Sequence, residues 1–130
     1  MVLTKEILSE CPITTAQRVL SSKWSLVILF ILKDHPVRFN ELLRMFDGMN
    51  HTTLTKQLRQ LEEFGVVHRE VYHQVPPKVE YSLTELGHKL EPTLVCLSEW
   101  GQEYIRERGK IETIFPDSDQ SSVMKRRKRT

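Results

Sequence analysis

Cysteine is scarce in this chain. Cys11 and Cys96 are the only two in 130 residues and they lie far apart, so no standing disulfide is expected in a reducing compartment. There is no Cys-x-x-Cys, and His35, His51, His68, His73 and His88 show no ligand-like spacing. Neither a metal nor any other cofactor is therefore expected. Long hydrophobic runs are missing too. The longest, Leu26 to Leu32, falls far short of the ~20 residues a membrane span needs. The first residues, Met1 to Glu6, lack a basic segment followed by an apolar one, so no secretory signal is expected and a cytoplasmic location is. No nucleophile with an adjacent base, no carboxylate pair and no phosphate loop can be made out, which argues against an enzyme.

Positive charge is short as well, once its distribution is considered. The formal net charge is +2, but Lys125, Arg126, Arg127, Lys128 and Arg129 supply five of the 19 basic residues. Residues 1–124 then carry 14 basic against 17 acidic side chains, a net of −3. A folded part of this kind binds a polyanion only through local clusters, and the tail can add sequence-independent attraction to phosphate.

What is present suits one soluble domain: 39% apolar and 28% charged residues in a chain of this length. We divide it into a flexible arm (1–10), a domain (11–109) and a polar, basic tail (110–130), of which Asp117 to Thr130 should be disordered. Pro12 suits a first helical turn, with a helix continuing to about Leu20. Trp24 to Lys33 reads as a helix apolar on all sides, which places it in the middle of the core. A very short strand fits Val37 to Phe39. Asn40 can cap the next helix, which stops at Asp47 and Gly48. Asn50 caps the helix after that, with Met49 and Leu54 forming a hydrophobic staple, and Gly65 ends it.

Val66 to Tyr72 is rich in β-formers, and Val79, Tyr81 and Leu83 alternate with Lys78, Glu80 and Ser82. These are two strands joined across His73 to Pro77, since Pro76 and Pro77 belong at a tip. Thr84 caps another helix, and Pro92 begins a longer one with an apolar stripe. The fold class is mainly α with a small β-hairpin (α+β). There is no internal repeat.

Helix, tight turn, capped helix and ribbon in that order make a probe for the major groove of DNA. On the second helix Leu54, Leu58 and Leu61 share a narrow arc that must face the core. Thr52, Lys56, Arg59 and Glu63 lie opposite, flanked by Thr53 and Thr55, and His51 sits in the first turn. Lys56 and Arg59 can reach phosphate or guanine acceptors. The threonines can donate, accept and touch a thymine methyl. Gln57 can read adenine only if turned toward the groove from its flank position. Arg69, His73 and Lys78 on the ribbon can grip the backbone, although a single strand residue of this kind is more often merely solvated.

The string from Lys23 to Gly87 closely resembles the HxlR-type branch of the winged helix-turn-helix regulators, relatives of the MarR family. The matching pieces are Lys23 to Leu26, Arg38 to Leu42, Leu54 to Glu62 and, most distinctively, Tyr72 to Thr84. The resemblance covers about Cys11 to Arg108, and it departs from the pattern at Ser22, where many members carry glycine. It implies a dimeric transcription factor, repressor or activator, whose first and last helices make the interface. Ile13, Leu20, Leu94, Leu97, Trp100 and Tyr104 would belong partly to that interface. Two probe helices would then meet an inverted repeat in double-stranded DNA.

The family often carries a cysteine at the position of Cys11, which in several members senses oxidants or electrophiles. A helix N-terminus stabilises a thiolate, whereas Glu10 beside it opposes one. An inert packing cysteine is the alternative. Cys96 reads as core or interface packing. A small-molecule or oxidant effector is thus an expected partner. The competing function is a winged-helix protein-interaction module that does not read DNA, because a fold does not dictate its use.

Overall fold

The computed structural model describes residues 2–111; the basic run and the expected disorder of 117–130 lie outside them. Element order is α1 (Lys5–Ser9), α2 (Pro12–Val19), α3 (Ser25–Leu32), β1 (Val37–Arg38), α4 (Phe39–Met45), α5 (His51–Glu63), β2 (Val67–Tyr72), β3 (Lys78–Leu83), α6 (Glu85–His88) and α7 (Glu91–Arg108). This is a winged helix-turn-helix. Among the described residues no helix is long and apolar enough to cross a membrane.

Several elements differ from their expected form. Residues 5–9, read as part of an arm, make a single helical turn capped by the Thr4 hydroxyl, which accepts from the Ile7 amide at 3.3 Å. The ribbon is a three-stranded antiparallel sheet in the order β1-β3-β2 rather than a bare hairpin. Val37 pairs with Tyr81 and Arg38 with Glu80, so the short strand covers the free edge of β3. The chain passes from that strand directly into α4. Extended Arg38 therefore occupies the N-cap, and Asn40, expected there, lies inside the first turn.

The core is built by Ile28, Leu29, Leu32, Val37, Leu42, Leu54, Leu58, Leu61, Val66, Val67, Tyr81, Leu83 and Leu94. Each such aliphatic side chain contributes about 1.5–3 kcal/mol on leaving water. α3 does not sit buried on all sides, contrary to its composition. It buries the stripe Ser25, Ile28, Leu29 and Leu32, while Leu26 and Val27 remain 39% and 40% exposed. It packs most closely on α7 and the sheet, which cover one side of it and leave the other apolar side facing out.

α5 is fixed at both ends. The Asn50 carboxamide oxygen accepts from the Thr53 amide at 2.7 Å. At the other end Gly65 takes φ +82°, and the amides of Gly65 and Val66 donate to the carbonyls of Glu62 and Leu61 at 3.0 and 3.1 Å. That pair of bonds satisfies the last orphan acceptors. Thr84 ties this corner to the end of the sheet: its amide donates to the Val66 carbonyl at 3.1 Å and its hydroxyl to the Gly65 carbonyl at 2.6 Å. The same hydroxyl caps α6 by accepting from the Gly87 amide at 3.0 Å.

Candidate nucleic-acid interface

Leu54, Leu58 and Leu61 are at most 1% exposed, so one face of α5 is anchored and the opposite face must point out. Thr52, Lys56, Arg59 and Glu63 are all exposed there. Thr53 and Thr55 flank that face half-buried. The Thr55 hydroxyl is spent within its own helix, donating to the His51 carbonyl at 2.8 Å, so its outward contribution is mainly its methyl group. His51 in the first turn rests against Phe39 of α4, with ring centroids 4.6 Å apart.

Gln57 departs from the groove-facing placement. It is half-buried, and its Oε1 accepts a hydrogen bond from the Ser22 hydroxyl in the turn between α2 and α3. Its carboxamide thus braces α5 against the first helices. Ser22 also accepts from the Trp24 amide at 3.3 Å. Ser22, the departure from the expected pattern, therefore has a structural use of its own.

The sheet sorts the ribbon cations onto two faces. Arg69 pairs with Tyr81, and Val67 with Leu83. These partners are core residues, so alternation puts Arg69 on the α5-facing side, beyond the end of the core. Lys78 pairs with Tyr72 on the other face. Its ammonium lies 3.2 Å from the Glu80 carboxylate and 4.6 Å from the centroid of the Tyr72 ring. His73 is at the exposed tip, near fully exposed Val75.

Between α4, α5 and the wing lies an open cleft of about 810 Å³. Arg38 borders it from β1, Arg44 from α4, Arg59 from α5, Arg69 from β2 and the ion-paired Lys78 from β3; Glu41 and Glu62 are its acidic members. Phe39 and Tyr81, 6.3 Å apart by centroids, line the same space. Sequence reasoning gave Arg38 and Arg44 no role. Arg38 opens the Arg38 to Leu42 segment that resembles the family, but nothing local revealed that β1 pairing would bring it alongside the probe helix.

Cys11 is the N-cap of α2, half-buried and free. The Thr14 hydroxyl and then the Thr14 amide lie so as to favour the thiolate and hold its pKa below the ordinary thiol value; desolvation opposes them, and the Ile13 amide adds a smaller favourable contribution. No capping hydrogen bond to the sulfur is formed. Cys96 is exposed on α7, which removes the core-packing reading for it. Of the residues expected at an interface, Leu94 is 3% exposed and belongs to the core of this chain. Leu20 and Tyr104 are half-buried. Ile13, Leu97 and Trp100 are 77%, 41% and 66% exposed. Among the described residues no group of His, Cys, Asp and Glu could hold a metal ion.

The family model for the HxlR-like helix-turn-helix matches residues 19–109. The uncharacterized HTH-type transcriptional regulator YdeP of Bacillus subtilis is 46% identical over 109 residues, covering 84% of this chain and 85% of that protein. Among solved structures, the redox regulator HypR in its oxidized form is 48% identical, with TM-score 0.67, over 72% of this chain and 96% of that one. The reduced form of the transcriptional regulator YodB from B. subtilis is 30% identical, with TM-score 0.64, over 72% and 93%.

Proposed function

Starting from the fact that the chain belongs to the HxlR-like helix-turn-helix family of transcriptional regulators, we propose that it binds operator DNA as a homodimer, with α5 as the reading helix. The observation that carries this reading is the exposed row Thr52, Lys56 and Arg59 on a helix whose other face is anchored in the core. A rigid mount is what groove reading requires, because base-edge hydrogen bonds tolerate little misplacement. Thr52, Lys56 and Arg59 face the bases or the adjacent phosphates, with Thr53 and His51 beside them. Arg69 holds the backbone from the wing, and His73 reaches from its tip.

Pairing of two chains through α2 and α7 supplies the second probe and an inverted-repeat target. Ile13, Leu97 and Trp100 leave apolar area in water that a partner copy would cover. Leu26 and Val27 of α3 add to that uncovered area.

Cys11 is the proposed control point, in a cytoplasmic protein. Its thiolate is favoured by Thr14 and by the first turn of α2, and a solved relative at 48% identity is a redox regulator. Oxidation or alkylation there changes the bulk and charge at the start of α2, and α2 leads into the Ser22–Gln57 brace on α5.

The test is a titration against duplex DNA at several salt concentrations. A steep loss of affinity with salt, together with preference for one sequence, is expected. Arg59→Ala and Lys56→Ala should each weaken binding without lowering thermal stability, Arg59→Ala by about 1–3 kcal/mol if it reads a base. Absence of binding at low salt would favour the protein-interaction reading instead.

A further inference from the structure

We propose that Ser22 and Gln57 are positioning residues for operator discrimination: the hydrogen bond between them sets the rotation of α5 in the groove, without either side chain touching DNA. This rests on the DNA-binding reading above and gives the turn between α2 and α3 a part in sequence choice. Gln57 stands three positions after Leu54 and four before Leu61, so it adjoins the apolar stripe of α5 rather than its outward row. A carboxamide half-buried beside leucines has lost water, and without a protein partner it would be left unsatisfied. The Ser22 hydroxyl is that partner, donating to Gln57 Oε1. The donor is itself held in place. The same hydroxyl accepts from the Trp24 amide at 3.3 Å, and the Ser22 carbonyl accepts from the Ser25 amide at 3.1 Å. The Trp24 ring meets Phe46 edge-on, with centroids 5.3 Å apart, and Phe46 is the C-cap of α4. One short turn thus grips both helices of the helix-turn-helix, α4 through a ring contact and α5 through a hydrogen bond.

The bond matters because the burial around it is undirected. Leu54, Leu58 and Leu61 anchor α5 by area, and apolar burial has no preferred direction. A hydrogen bond does, since it weakens steeply away from linearity. Nor is the neighbouring space filled. A cavity of about 140 Å³ is lined by Arg18 and Val19 of α2 and by Gln60 and Phe64 toward the far end of α5. Side chains on a helix end ~5–6 Å from its axis, so a rotation of ~10° carries a tip by ~1 Å. That exceeds the ~0.5 Å within which a recognition group must be held. Base-edge hydrogen bonds fail at such a displacement, whereas attraction between a cation and phosphate falls off slowly with distance. Releasing Gln57 from Ser22 therefore costs discrimination between sequences and spares affinity for duplex in general.

The measurement uses the full chain. Wild-type protein first selects its preferred site from a pool of random duplexes, and affinity is then compared between that site and sheared genomic duplex. Ser22→Ala should lower the ratio of the two affinities by about threefold to tenfold, the worth of one neutral hydrogen bond. Its affinity for genomic duplex and the salt dependence of that affinity should stay at the wild-type values, because no cation is removed; this also shows that the variant is folded. Gln57→Ala should lower the ratio equally, and the double variant no further than either single one. Ser22→Thr keeps the hydroxyl and should keep the ratio. A wild-type ratio in Ser22→Ala would sink the proposal while the DNA-binding reading stands. So would additive losses in the double variant, or a loss confined to Gln57→Ala at one base position, which would make Gln57 a base reader. If the wild-type chain enriches no sequence from the pool, sequence reading and its positioning fall together.

Discussion

Replacing Gly87 with alanine is the sharpest test of how this molecule is joined. Judged by local preference alone, the change looks favourable: glycine within a helix costs up to about 1 kcal/mol relative to alanine. The tertiary structure reverses the sign. Gly87 is buried in α6, and a Cβ there would fall well inside 3.0 Å of the Val66 carbonyl oxygen, while meeting the Val66 carbonyl carbon at 3.1 Å and the Leu83 Cβ at 3.2 Å. The first neighbour is backbone and cannot swing away. That carbonyl also accepts the Thr84 amide, so moving it loosens the corner that joins the end of α5 to the sheet. Overpacking of this kind costs about 1–3 kcal/mol. Stranding the carbonyl adds about 1–3 kcal/mol. After the gain in helix preference, a net loss of roughly 1–5 kcal/mol remains. In a domain of this size it should lower Tm by roughly 10 °C. Thermal unfolding followed by circular dichroism gives the answer directly. An alanine variant that melts at or above the wild-type temperature would refute the close packing of α6 on the Val66 carbonyl, and with it the account of how reading helix and wing are held together.

Three further outcomes are expected besides those given with the proposals. Arg69→Ala should lower the salt slope of DNA binding by ~0.9, whereas Lys78→Ala should leave it nearly unchanged, because the ammonium already serves Glu80 and Tyr72. Equal losses from both would contradict the two-face division of the wing. Cys11→Ser should retain basal DNA binding and lose the response to diamide or quinones. Thr14→Val removes the largest influence favouring the Cys11 thiolate, so the pH profile of iodoacetamide alkylation at Cys11 should shift to higher pH. The sign follows because a depressed thiol pKa keeps thiolate present at lower pH. A profile unmoved by the valine would remove Thr14 from this role.

Much of the architecture was legible along the chain because the controlling chemistry is local. Asn50 three residues before the Thr53 amide announces a cap, and Gly65 announces a stop. Leu54, Leu58 and Leu61 recur at helical spacing, so the outward identity of Thr52, Lys56 and Arg59 followed without coordinates. Alternation in Lys78 to Leu83 gave a strand with one buried face. Interpretation went astray where a second element had to be known. Gln57 was placed at the edge of the groove, but its hydrogen bond is to Ser22, 35 positions earlier. Asn40 was read as a cap, but strand pairing across 44 positions, Val37 to Tyr81, moved the helix start to Arg38. Composition made α3 look enclosed, whereas only one stripe of it meets α7 and the sheet.

The order of residues by itself determined which segments coil, which extend, where each stops and which face of the probe helix turns inward, since those depend on neighbours within a few positions. Only the tertiary structure decided which cations meet. The arginines at 38, 44, 59 and 69 are unremarkable along the chain and become one cleft because β1 docks on β3 and sets α4 beside α5 and the wing. The same folding spends Lys78 on Glu80, leaves Arg69 free, and converts a glycine that looked dispensable into a point of backbone contact. Side-chain chemistry is local, but electrostatic convergence depends on distance in space, and that distance exists only once the strands have paired.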